Sequence, residues 1–179
     1  KMWYPGALGG KAVAQVLFGE AMPSGKLPVT FYRTTEELPD FTDYSMKGRT
    51  YRYMEQEALY PFGYGLTYVP FEASDLSVKV EGDEADVTLT VKNLGDRTAS
   101  QTVQVYVKDL ESSFAVPNHS LKAFRCLELE GGESRTVTLH LDRKAFEAIN
   151  DEGEHILDSH KFRIYAGFSQ PDARSVSLM

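Results

Sequence analysis

The chain has 179 residues, a formal net charge of −7, and 42% hydrophobic against 25% charged residues, the composition of an ordinary globular protein. The acidic balance excludes nucleic acid and anionic membrane surfaces as electrostatic partners, and no apolar run approaches the roughly 18 residues of a membrane span. A single cysteine, Cys126, rules out an internal disulfide and a cysteine-rich metal cluster.

Residues 1–31 have α/β character. Trp3-Tyr4-Pro5-Gly6 reads as a turn, and over residues 11–18 the apolar positions Ala12, Val13, Val16 and Leu17 fall on one helical stripe. Gly19 stands where a helix C-terminal glycine belongs. After the turn Met22-Pro23-Ser24-Gly25, residues 27–31 form an extended run in which Pro28 lacks a ladder donor, so an edge strand is expected. One helix and one edge strand cannot enclose a core. The segment reads as a remnant that needs companions, either in a longer parent chain or, as a homo-oligomer through residues 1–31, in a second copy. The opening carries no signal-peptide pattern and no initiator methionine, so the chain reads as a piece of something longer.

Residues 32–70 read as an irregular linker rich in tyrosine and arginine. Gly48-Arg49-Thr50-Tyr51-Arg52-Tyr53 alternates the two types, and in an extended conformation its two faces would differ. Arg49, Tyr51, Arg52 and Tyr53 therefore suit a substrate-rim loop, since guanidinium forks and rings match hydroxyl-rich ligands. They suit better an inter-domain loop in which arginines stack on tyrosines as braces. Next comes Tyr60-Pro61-Phe62-Gly63-Tyr64-Gly65-Leu66-Thr67-Tyr68. Pro61 fixes its own φ, Gly63 and Gly65 admit positive φ, and four aromatic rings bring far more apolar area than a tether needs. This stretch reads as a packed joint between two bodies.

From residue 71 the apolar period becomes two. Leu76, Val78 and Val80 alternate with polar neighbours, as do Val87, Leu89 and Val91, then Val103, Val105 and Val107. Val137, Leu139 and Leu141 repeat the pattern, followed by Phe162, Ile164 and Ala166, with Val176 and Leu178 closing the chain. Residues 121–129 skip phase, which points to a β-bulge, and residues 142–149 break the period as a short helical crossover would. About seven such strands between turn signals predict an antiparallel immunoglobulin-like β-sandwich over residues 71–179.

Catalytic and metal motifs are absent from the sequence. His119, His140, His155 and His160 have no metal-ligand spacing and read as solvated surface residues. No zinc-protease, nucleophile-elbow, phosphate-loop or dinucleotide pattern occurs, and no cofactor is implied. Asn118-His119-Ser120 matches the glycosylation sequon. Among 26 acidic residues, Asp40, Asp43, Glu55 and Glu57 lie in the linker. Nothing there supplies the apolar pocket that a glycosidase acid requires.

Several motifs in fixed order resemble glycoside hydrolase family 3, the β-glucosidase and β-xylosidase family. Residues 3–31, with Trp3-Tyr4-Pro5-Gly6 and Pro23-Ser24-Gly25-Lys26-Leu27-Pro28-Val29-Thr30-Phe31, look like the close of its α/β sandwich domain. The Arg/Tyr segment and the aromatic joint follow in the family's order. Val91-Lys92-Asn93-Leu94-Gly95, Val103-Gln104-Val105-Tyr106-Val107, Leu121-Lys122-Ala123-Phe124 and Gly132-Glu133-Ser134 resemble its fibronectin type III-like domain. The resemblance implies a parent that hydrolyses terminal β-linked sugars with retention, using two carboxyl groups about 5 Å apart. It implies that the nucleophile lies on an N-terminal barrel and the acid/base earlier in the α/β domain. Both positions are outside this chain, so no residue here inherits a catalytic role, and the missing barrel and α/β domain are the implied partners. A freestanding β-sandwich module that binds carbohydrate or protein is the alternative.

Overall fold

The computed structural model describes residues 2–179. Its C-terminal part is a two-layer antiparallel sandwich. One sheet contains β1 (Phe71–Glu81), β2 (Glu84–Asn93) and β5 (Ser134–Leu141), in the order β1-β2-β5. The other contains β3 (Ala99–Asp109), β4 (Ser120–Leu129), β8 (Phe162–Gly167) and β9 (Val176–Leu178), in the order β4-β3-β8-β9. A separate two-stranded hairpin pairs β6 (Ala148–Ile149) with β7 (His155–Ile156).

The alternation of period two explains why these segments pair. Val87, Leu89 and Val91 of β2, Val103, Val105 and Val107 of β3, and Val137, Leu139 and Leu141 of β5 all point inward. They meet Leu127, Leu129, Ile164 and Ala166 in one continuous core. Polar partners on the outward faces pair across strands, as Thr88 and Thr138 do at 2.8 Å. The predicted bulge is present: Val105 faces Ala123 and Tyr106 faces Leu121, so Lys122 is the extra residue.

Ahead of the sandwich lie α1 (Gly9–Leu17), a single 3₁₀ turn at Thr35–Glu37, and the four-residue α2 (Thr50–Tyr53). Four expectations need correction. Residues 27–31 are not an edge strand of a sheet; Phe31 makes one isolated antiparallel bridge, to Tyr60. The Arg/Tyr segment is not extended but closes into α2, driven by tertiary packing of Tyr51. Residues 142–149 form only a 3₁₀ turn, Arg143–Ala145, and then enter the small hairpin. In β1 the phase is lost at Asp75, whose φ is +53°, and the register slips between Ser74 and Ser77. Ahead of the slip Ala73 is buried, and beyond it Leu76 and Val78 pack against the core as their alternation predicts, while Val80 near the strand's end is 70% exposed.

Candidate functional site

The joint lies on the outer face of the four-stranded sheet, against β3. In β3 the side chains between Val103, Val105 and Val107 should meet water, yet Gln104 is 3% and Tyr106 1% exposed. The joint covers them. Gln104 donates from Nε2 to the carbonyls of Gly63 and Phe168, both at 3.0 Å, and accepts from the Tyr106 hydroxyl at 2.6 Å. Every polar atom in that amide is therefore used, as burial demands. Gly63 has φ +75°, and a Cβ there would lie 2.9 Å from Gln104 Cδ. Only glycine lets the chain cross so close to the sheet in that conformation.

Aromatic packing fixes the rest. Tyr51 stacks on Phe62 with centroids 4.3 Å apart and planes 13° from parallel, and meets Tyr106 edge-on at 6.0 Å. The amide of Leu121 donates to the Tyr51 hydroxyl at 3.0 Å. Phe62 and Gln170 are doubly linked: the Gln170 amide donates to the Phe62 carbonyl at 2.9 Å, and the Phe62 amide to Gln170 Oε1 at 3.1 Å. Residues 27–31 run beside the joint through four backbone bonds, such as Leu27 N–H to the Tyr64 carbonyl and Gly63 N–H to the Leu27 carbonyl, each 2.8 Å. Tyr60 contacts Phe31 edge-on at 6.3 Å and Tyr64 at 5.4 Å.

The N-terminal helix is held at its C-terminal end. The Tyr68 hydroxyl donates to the Val16 carbonyl at 2.7 Å, and Arg97, from the loop before β3, donates to the Gly19 carbonyl at 2.8 Å. Val13 and Val16 are half-buried, whereas Ala12, Leu17, Val29 and Leu66 stay exposed. With Leu8 74% and Phe18 83% exposed, this end of the molecule presents a broad apolar surface.

The residues singled out in the linker divide by role. Arg49 spends its guanidinium on the carbonyls of Ser45, Asp40 and Asp43, so it braces the loop. Arg52 sits 6.0 Å from the Tyr51 ring centroid, and Tyr53 is half-buried. Tyr51 is built into the joint.

His119 is not a solvated surface residue. It packs against Tyr51, Tyr106 and Tyr165 at 5.8, 5.3 and 6.1 Å, and its Nε2 is buried without a partner. Burial, assisted by the nearby Lys108 ammonium, pushes its pKa down to about 4. His140, His155 and His160 are exposed. The hydrogen bond to Asp86 raises the His140 pKa. Sequence alone could not expose the role of Gln104 or His119, because each follows a local pattern that in isolation faces water. Asn118 donates both amide hydrogens, to the Tyr51 and Met54 carbonyls at 3.0 and 2.8 Å. The sequon asparagine is thereby committed to structure.

The carboxyl groups are exposed or half-buried. Asp40 and Asp43 cap turns through Thr42 and Ser45, and these hydrogen bonds hold both below the usual carboxylate range. Glu57 pairs with Arg33. No aspartate or glutamate occurs among the buried residues described. The Glu147 side chain, 10% exposed, is tied to Arg143 at 2.9 Å and lies 3.2 Å from His155, with Asp83 on the other side of Arg143. Among the described residues no group of three or more histidine, cysteine or acidic side chains could hold a metal ion.

A fibronectin type III-like sandwich bearing a docked N-terminal arm with one helix defines the class of this chain. Residues 1–68 match the model of the glycosyl hydrolase family 3 C-terminal domain, and residues 101–170 match that of the fibronectin type III-like domain. The chain belongs to glycoside hydrolase family 3. It is 46% identical over 147 residues to a xylan 1,4-β-xylosidase of Xylanibacter ruminicola, covering 81% of this chain and 17% of that protein. It is 34% identical over 181 residues to a periplasmic β-glucosidase of Salmonella typhimurium, covering 92% of this chain and 24% of the relative. The crystal structure of a family 3 β-glucosidase from Bifidobacterium adolescentis superposes with a TM-score of 0.84 at 33% identity, over 95% of this chain and 28% of that one. The chain thus spans less than a third of the length of these relatives.

Proposed function

We propose that this chain is a non-catalytic, structural C-terminal part of an exo-acting β-glycosidase, one that hydrolyses terminal β-linked glucose or a related sugar with retention. In this reading residues 1–31 are the remnant of the α/β sandwich domain, residues 32–70 the linker and joint, and residues 71–179 the sandwich. The observation that carries it is the joint itself: Gly63, Phe62 and Tyr51 clamp the arm to β3 through Gln104 and Tyr106. The arm in turn leaves an apolar helical surface uncovered. A retaining glycosidase needs two carboxyls about 5 Å apart with one pKa raised by its surroundings. No carboxyl among the described residues is buried in such surroundings, which favours a supporting role. Arg49, Tyr51, Arg52 and Tyr53 act here as braces of the linker.

The test is an assay of the purified chain on aryl β-glucosides and aryl β-xylosides. No turnover above the uncatalysed rate is expected. Turnover that disappears in Glu147→Gln or Asp172→Asn would overturn the proposal.

A further inference from the structure

We infer that a cleft at the joint is a binding site for a neutral polyhydroxylated small molecule of monosaccharide size. The inference goes beyond the proposed function and stands on the cleft alone. The cleft encloses about 230 Å³, below the roughly 300–1,000 Å³ of sites for larger ligands, which limits its occupant to something compact. Segments far apart in sequence converge on it: Thr30, Tyr51 and Pro61 from the arm and joint, Asn118 before β4, and Gln170 and Asp172 after β8.

Its polar atoms have capacity left over. Thr30 Oγ1 is buried and has no partner. Asn118 uses both amide hydrogens on the Tyr51 and Met54 carbonyls, which leaves Oδ1 as an acceptor. Gln170 uses Oε1 to accept from Phe62, which leaves its amide hydrogens as donors. A hydroxyl, a carbonyl oxygen and an amide donor beside an apolar wall supplied by Ala58 and Pro61 match the alternating hydroxyls and apolar C–H surface of a sugar ring. The Asp172 carboxylate, kept ionised by Arg174 at 2.6 Å, disfavours an anion. A buried hydroxyl without a partner costs stability. Valine would fill the same space without that cost, so a threonine at position 30 fits a group held ready for a ligand.

The experiment titrates the ¹⁵N-labelled full chain with D-glucose and with D-xylose, and with inorganic phosphate as the anion control. Saturable shifts are expected at the amides of Thr30, Asn118 and Gln170 with one of the sugars, with Kd on the order of 1 mM, and none with phosphate. Thr30→Val should weaken sugar binding about three- to tenfold, the worth of one hydrogen bond, while its urea midpoint stays equal to or above that of the parent. Ala58→Trp, on the cleft wall, should abolish the shifts while the sandwich amides remain in place. Absence of saturable shifts with both sugars overturns the inference, as does equal response to phosphate. Binding unaffected by Thr30→Val, or a midpoint lowered together with binding, also overturns it.

Discussion

Replacing Gly63 by alanine probes the clamp between the joint and the sheet. Two costs combine. The backbone sits at φ +75°, where a residue with a Cβ is strained by about 1–2 kcal/mol. The new Cβ would also lie 2.9 Å from Gln104 Cδ. Gln104 must then move, and its bonds to the Gly63 and Phe168 carbonyls and from the Tyr106 hydroxyl weaken or break, at about 0.5–1.5 kcal/mol each. The sum reaches about 2.5–6.5 kcal/mol if all three bonds are lost, a large share of the roughly 5–15 kcal/mol that stabilises a domain. Urea unfolding followed by circular dichroism measures the loss, and hydrogen exchange at the Phe62 and Gly63 amides reports local undocking. A double-mutant cycle separates the terms. In a Gln104→Ala background the clash is gone, and Gly63→Ala should cost only the backbone strain of about 1–2 kcal/mol. Equal cost in both backgrounds would refute contact with Gln104 as the mechanism. A cost below about 0.5 kcal/mol in the parent, the level of an ordinary surface change, would refute the close approach itself.

Acid should loosen the joint through His119. Its folded pKa of about 4 lies below the 6.5 of a free histidine, so the unfolded chain takes up the proton first. The associated stability is complete above about pH 6.5 and falls as the pH drops toward 4. Discounted for the ring's partial exposure, the loss is about 1–2 kcal/mol. Urea midpoints between about pH 7.5 and pH 4.5 should show this component in the parent and lose it in His119→Phe; identical slopes would contradict the burial. Leu89→Ala, in the core, should cost about 2–5 kcal/mol, while Val80→Ala should stay within about 0.5 kcal/mol, in the same denaturation assay.

The sandwich was legible because its signal is local. A strand with one face in the core writes that face into every second residue, and the bulge at Lys122 appears as a single skipped phase. The slip at Asp75 was not legible, because it falls between Ala73 and Leu76, ahead of the alternation by which Leu76 and Val78 pack on the core. The aromatic joint could be read from its proline, glycines and rings, but not what it sits on. Gln104 and Tyr106 occupy outward positions of β3 that a period-two reading assigns to water. Their burial comes from a segment about 40 residues earlier, a non-local fact. Tyr51 shows the same limit in reverse. The alternation of Arg and Tyr suggested an extended segment, and packing against Phe62, Tyr106 and His119 closed it into a helical turn instead. His119 offered no signal of its own.

The most direct test of the supporting role is reconstitution of hydrolysis from two polypeptides. The coding region preceding this chain would supply one, and this chain the other. The account predicts that aryl β-glycoside hydrolysis needs both, and that Gly63→Ala in this chain lowers the yield of active complex without changing the pH profile of the reaction. Full hydrolysis by the preceding region alone, or by this chain alone, would contradict it.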